Sequence, residues 1–266
     1  HKSVDKQIHI FNKNDFSYLT SIGNFGEGPE EITVMGCLAI DEAHHQLYVS
    51  DHAKQKIFSY DMDSVMVDSL YKPQVKTAMN ETLFPSEYQY INDTLSIAVL
   101  IKPTSTSTFN QFLGRWNMNT GEMIPMKYTH PDIQKKRITF AASEKAGIYV
   151  ECYTRHDLMT ICSLDGELLY NIYGPDWDGG NGNKLQSFGT VMIGNDKIFV
   201  SYCGEDYARD SFPTKILVFD LEGNYLKTLE TGYKISDCCY DSFNNRIILS
   251  LNDVVQFAYL DIDGII

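Results

Sequence analysis

The sequence predicts an all-β chain: a six-bladed β-propeller of four-stranded antiparallel blades, forming one domain over residues 1–266. Two recurring elements and one missing pattern lead there. Five strand-like runs look alike: Leu47-Tyr48-Val49-Ser50, Leu95-Ser96-Ile97-Ala98, Ile148-Tyr149-Val150-Glu151, Ile198-Phe199-Val200-Ser201 and Ile247-Ile248-Leu249-Ser250. Their third members are spaced by 48, 53, 50 and 49 residues. A strand, an Asx- or Gly-type turn and a second strand follow each run. No stretch shows a long amphipathic helical period. Self-similarity near fifty residues with about four short strands per unit is the signature of a propeller.

The outer hairpins recur at Phe11-Asn12-Lys13-Asn14, Tyr60-Asp61-Met62-Asp63, Trp116-Asn117-Met118-Asn119, Cys162-Ser163-Leu164-Asp165, Phe219-Asp220-Leu221-Glu222 and Leu260-Asp261-Ile262-Asp263. Gly121, Gly166, Gly223 and Gly264 close four of them, since glycine enters positive φ without steric cost. With strands labelled a to d from the axis outward, residues 1–31 supply only c and d. Blades then follow at 32–72, 85–128, 137–174, 187–231 and 234–266, the last ending near strand c. Further sequence at both ends would complete six blades; pairing between the two termini is the alternative. Trp116, at the repeating hairpin position, is expected to pack between blades.

Composition narrows the function classes. Net charge is −13 and no basic stripe interrupts it, which disfavours nucleic acid and anionic membranes. No apolar run approaches the roughly 18–20 residues that span a bilayer. The chain begins His1-Lys2-Ser3, as expected of a processed chain or a fragment.

Several local patterns fail as chemistry. Gly23, Gly26 and Gly28 resemble a phosphate loop, but Pro29, Glu30 and Glu31 follow where a helix start is needed. An inter-blade turn is the better reading. From Asp176 to Asn183 the loop has oxygen ligands, yet an EF-hand requires glycine sixth and glutamate twelfth; Asn181 and Ser187 stand there. Asp220 to Glu230 fails likewise. His44-His45 reads as a hairpin turn, whereas His52, His130 and His156 fall in inter-strand connections. No Gly-x-Ser-x-Gly elbow occurs. Neither a cofactor nor a catalytic residue is implied.

The segment Gln7-Ile8-His9-Ile10-Phe11, then Leu19 to Glu31 with Gly26-Glu27-Gly28-Pro29-Glu30, resembles bacterial six-bladed β-propellers of the TolB-like and NHL-like group. There an outer hairpin ends in Gly-x-Gly-Pro-Glu before the next blade. The resemblance implies a secreted or lipid-anchored, extracytoplasmic protein, the anchor lying in sequence ahead of this chain, and it implies no particular chemistry.

Long connections at 71–87, 102–111, 127–137, 174–187 and 203–214 all belong to the b–c and d–a set, opposite the short a–b turns. Loops on a rigid scaffold carry function. The expected activity is non-enzymatic binding of a protein, peptide or glycan on this face, through His52, Lys54, Arg137, Tyr153, Arg155, His156 and Trp177. Lys54, Arg137 and Arg155 would form a cationic island, with Tyr153 and Trp177 adding flat apolar area. The alternative is a metal-dependent, lactonase-like hydrolase with an ion in the channel. The strand-a runs Cys37–Ile40, Tyr88–Ile91, Ile138–Ala141, Phe188–Met192 and Ile235–Tyr240 carry one carboxylate, Asp237, which weighs against it.

Of Cys37, Cys152, Cys162, Cys203, Cys238 and Cys239, only the last two are adjacent. Neighbouring strand residues point to opposite faces, so no disulfide essential to folding is expected. Thiol titration of denatured, non-reduced protein is expected to find six free groups; two or fewer would refute this.

Overall fold

The structure, a computed structural model, describes residues 5–68, 70–182, 184–209 and 211–265. Asn183, part of the loop weighed above as a calcium site, lies outside the described residues, as do His1, Lys2 and Ser3. The chain divides into two compact units, His1–Pro125 and Met126–Ile266.

In the first unit β1 (Lys6–Phe11) pairs with β2 (Tyr18–Asn24). A four-stranded sheet follows: β3 (Met35–Asp41), β4 (Gln46–Asp51), β5 (Lys56–Asp61) and β6 (Gln74–Ala78). A second is formed by β7 (Phe84–Asn92), β8 (Leu95–Pro103), β9 (Phe109–Trp116) and β10 (Met123–Pro125). The second unit contains β11 (Ile138–Ser143), β12 (Ile148–Tyr153), β13 (Leu158–Ser163) and β14 (Leu168–Tyr173) as one sheet. The next is β15 (Leu185–Gly194), β16 (Lys197–Asp206), β17 (Lys215–Asp220) and β18 (Tyr225–Glu230). A three-stranded sheet of β19 (Ile235–Asp241), β20 (Arg246–Leu251) and β21 (Phe257–Asp261) ends the chain as described. Neighbours in every sheet are consecutive and antiparallel, the up-and-down order of propeller blades.

The five strand-a runs fall in β3, β7, β11, β15 and β19, and the five repeated runs in β4, β8, β12, β16 and β20. Gly121, Gly166, Gly223 and Gly264 have φ of 77°, 87°, 85° and 70°, the conformation for which the sequence selected glycine. Blade stacking supplies the cores. Tyr48 and Ile57 of one blade pack with Tyr88, Leu100 and Trp116 of the next. Trp116 is 1% exposed and meets Tyr88 edge-on at 5.1 Å, so it does pack between blades. In the second unit, Val150, Cys152 and Ile161 meet Phe188, Val200 and Tyr202.

Three expected connections differ. Tyr60-Asp61-Met62-Asp63 is not a tight hairpin: Asp61 caps a helical turn, α1 (Met62–Val67), accepting Ser64 N–H at 2.7 Å. Val65 is thereby buried with Phe58 and Tyr60, and the fourth strand waits until Gln74, beyond the expected boundary at 72. The expected loop 102–111 is largely a paired ribbon, with register running to Pro103↔Phe109. The start of 203–214 likewise belongs to β16, where Asp206 pairs with Leu185. In both places continued pairing satisfies backbone groups that a loose loop would leave to water.

All six cysteines are free, with Cys238 buried and Cys239 exposed, as alternation requires.

The Gly26–Glu31 segment joins β2 to β3, the inter-blade turn read from sequence. Lys54 Nζ donates to the carbonyls of Gly26, Gly28 and Glu31 at 3.3, 2.7 and 2.5 Å. A Cβ at Gly26 would sit 2.0 Å from Glu31 Oε2, the carboxylate that accepts Gly28 N–H at 2.8 Å. Lys54 Nζ also stands 3.7 Å from the fully buried Asp51. Burial alone would raise the Asp51 pKa, but donors from Thr33, Val34, Lys54 and Ala53 outweigh it and hold it below its ordinary value. Lys54→Met should therefore cost about 2–3 kcal/mol in urea denaturation, because a buried carboxylate and three carbonyls lose their cation. A loss within about 0.5 kcal/mol of zero, the range of ordinary surface substitutions, would refute this.

Candidate functional site

Alternation along β12 sorts the blade β11–β14 into two unlike faces. Ile148, Val150 and Cys152 enter the apolar core with β15–β17. Tyr149, Glu151 and Tyr153 point the other way and are also buried. On that face a row crosses all four strands: Phe140↔Glu151, Glu151↔Thr160 and Thr160↔Asn171. It is stitched by polar contacts. Glu151, 1% exposed, pairs with Lys136 Nζ at 2.6 Å and accepts the Tyr153 hydroxyl at 3.2 Å. Thr160 Oγ1 donates to Asn171 Oδ1, and Asn171 Nδ2 to the Tyr128 hydroxyl, both at 2.8 Å. A buried carboxylate persists only with such partners.

At the end of this face three connections converge: 126–137 before β11, the β12–β13 turn at 154–157, and 174–182 after β14. Trp177 lies at their centre, its ring 5.0 Å from Tyr173, 5.5 Å from His130 and 6.0 Å from His156. Tyr128 and Tyr153 extend the cluster, at 6.5 Å from His130 and 6.2 Å from His156. Trp177 is half-buried and Tyr173 is 49% exposed, so the cluster opens to solvent. The 174–182 segment sits close enough to build it because glycine removes side-chain bulk. A Cβ at Gly182 would stand 2.1 Å from the Arg155 carbonyl and 2.4 Å from His156 Nδ1. At Gly174 it would collide with the Asp157 carboxylate, which accepts Asp176 N–H at 3.0 Å.

The two histidines are held neutral. His130 Nδ1 accepts Asp132 N–H at 3.2 Å, which leaves the ring proton on Nε2 facing the Tyr173 hydroxyl at 3.0 Å. Burial lowers the pKa of both His130 and His156. His156 Nδ1 has no hydrogen-bond partner and stands 3.9 Å from Asp178 Oδ1. Asp157 shifts upward, again chiefly by burial, which outweighs the hydrogen bond it accepts from Asp176 N–H.

Of the residues expected from sequence, Tyr153, His156 and Trp177 are brought together. Arg155 lies beside them with its guanidinium 3.0 Å above the Tyr207 ring. Arg137 is exposed and contributes its carbonyl, which accepts Thr154 N–H at 3.0 Å. His52 and Lys54 belong to the first unit. His52 packs edge-on to Phe84 at 6.1 Å, and Lys54 is committed to the turn described above. The expected island of three cations is corrected on that point: Lys54 is only 16% exposed and spends its charge on backbone carbonyls. Sequence reasoning flagged His130 as a loop histidine without placing it here. It missed Glu151, Lys136 and Tyr173, because cross-strand rows are invisible until register is known. Among the described residues, no three His, Cys, Asp or Glu side chains converge as metal ligands.

Residues 2–115 match the model of the DUF5128 family, described as a 6-bladed beta-propeller. The chain has the β-propeller fold. No curated protein matches it. Among solved structures, a protein of unknown function from Bacteroides caccae is similar at 12% identity and TM-score 0.56, covering 98% of this chain and 87% of that one. A DUF4221 member from Bacteroides vulgatus aligns at 10% identity and TM-score 0.62, over 95% and 86%. The extracellular domain of a putative one-component system from B. thetaiotaomicron aligns at 14% identity and TM-score 0.55, over 87% of this propeller and 28% of that chain. At these identities the likeness is one of fold.

The neutral histidines set a pH dependence. Their folded pKa lies below the ordinary 6.5, so on acidification the unfolded chain takes up protons first. Stability is full above that value and is lost as pH falls below it. Urea midpoints should therefore drop between pH 7.5 and pH 5.5, and a His130→Phe, His156→Phe double variant should lose less over the same interval. Equal losses in the two proteins would count against it.

Proposed function

We propose that this propeller is a non-enzymatic binding module and that the rim around Trp177 in the second unit engages a protein or peptide. The observation that carries the reading is the convergence of Trp177, His130 and His156 from three separate connections on Tyr173 at the end of β14, half-open to solvent, beside Arg155 stacked on Tyr207. Rigid aromatic rings and a preorganised guanidinium lose little entropy on binding and dominate interface energetics. The docked glycines and the buried polar row beneath hold these rings in place before any ligand arrives, which lowers the ordering cost of association.

A glycan is the second class of ligand such rings would serve; the Arg155–Tyr207 stack favours a peptide, which offers carboxylates and carbonyls to a guanidinium. Extracytoplasmic placement belongs to the same proposal. It is supported by the sequence resemblance and by the fold shared with one extracellular domain. No helix among the described residues is long and apolar enough to cross a membrane.

The test uses a displayed random-peptide library selected on the intact chain. Selected peptides should perturb tryptophan emission through Trp177, since Trp116 is 1% exposed. Trp177→Ala and Arg155→Ala should each weaken them about tenfold or more, the loss expected of an interface anchor, with thermal unfolding retained. Binders whose affinity survives both substitutions would place the recognition surface elsewhere.

A further inference from the structure

The first unit contains a cleft of about 570 Å³, bounded by β2, the turn at 28–31, Tyr60 of β5, Val65 of α1, Asp68 and the stretch 70–73. The volume falls within the usual range for small-molecule pockets. The cleft exists because α1 displaces the expected hairpin and carries Val65, Leu70 and Tyr71 to its wall.

Tyr60 is 2% exposed and lines this cleft, and its hydroxyl has no hydrogen-bond partner. Other buried polar atoms are also unpartnered, but Tyr60 alone among them lines the cleft. Native proteins rarely leave a buried donor unpaired. Burial pushes this phenol up to about 12, so it stays protonated and remains a donor. Its neighbour Tyr71 is already used, accepting Asp61 N–H at 3.0 Å.

The wall is mixed in chemistry and carries a small negative excess, two lysines against three carboxylates. Lys6 and Lys72 face Glu30, Glu31 and Asp68. Lys72 pairs with Glu30 at 2.8 Å, Glu31 accepts Gly28 N–H, and Asp68 accepts Leu70 N–H at 2.9 Å. An anion would meet that negative excess, and a cation would lose hydration to carboxylates that already hold Lys72 or a backbone N–H. The flat rings of Tyr18 and Tyr71 and the apolar Val65 and Leu70 alternate with these polar groups. A ring with an apolar C–H face and a hydroxylated edge matches both kinds of wall.

We propose that the cleft binds an uncharged cyclic polyol of mono- to disaccharide size, one of whose oxygens accepts the Tyr60 hydroxyl proton. The site stands on different residues from the Trp177 rim and does not depend on that reading.

The experiment is saturation-transfer NMR on the intact chain with methyl glucosides, galactosides and mannosides, lactose, maltose and cellobiose, and with glucuronic acid as the charged comparison. At least one neutral sugar should receive transfer at millimolar concentration. Tyr60→Phe should weaken it about fivefold, the value of one hydrogen bond, and Trp177→Ala should leave it unchanged. Tyr60→Phe retains the ring and removes an unsatisfied group, so its thermal midpoint should equal or exceed that of the unaltered chain. The proposal is overturned if no neutral sugar binds, if binding ignores Tyr60→Phe, or if glucuronic acid binds more tightly than methyl glucoside.

Discussion

A four-stranded antiparallel sheet has two faces, and within each unit of this protein neighbouring blades bury their facing sides against one another. That constraint explains the repeat: each unit of about fifty residues supplies a sheet that cannot cover itself. It also explains the residue types. Positions of β4, β8, β12, β16 and β20 are buried on both faces, and Val49, Ile97, Val150 and Val200 are fully buried. Two-sided burial asks for continuous apolar runs rather than alternation, and those runs are what recur along the chain.

Where one face is not apolar, the chain substitutes a connected polar network. Glu151, Thr160 and Asn171 occupy one row across β12, β13 and β14, and Lys136 and Tyr128 from the preceding segment complete it. The ion pair contributes little net stability after desolvation, but breaking one half would be costly. Its effect is to fix where the 126–137 segment lies, and hence where His130 meets Tyr173 and Trp177. Local order at the rim is thus inherited from strand register several ångströms below it.

Departures from the repeat mark the places with functional promise. The helical turn α1 replaces a hairpin and opens the cleft beside Tyr60. The glycine-rich stretch after β14 looks like a loose loop in one dimension, yet it lies against Arg155 and His156 because Gly182 has no side chain. A regular blade needs neither feature, and in both cases the irregular segment creates concave or half-open surface.

The sequence by itself determined the fold class, the strand sets and the inter-blade places of Trp116 and the Gly26–Glu31 turn. All of these follow from local chemistry: apolar runs, turn residues, and a period that accidental patterning would not hold. Part of the candidate site was legible too, since Tyr153, His156 and Trp177 lie in or beside connections at one end of the blade β11–β14. What Lys54 does was not legible, because nothing in one dimension shows three carbonyls from residues 26–31 within reach of its ammonium group. Glu151 read as the end of an apolar run, and only register placed it beside Thr160 and opposite Lys136. Tyr60 read as a hairpin residue until the fold placed it beside the cleft with its hydroxyl buried and unpartnered. Tertiary structure decided these because burial, pairing and vacancy are properties of residues far apart in sequence, set by how strands align and not by the neighbours along the chain.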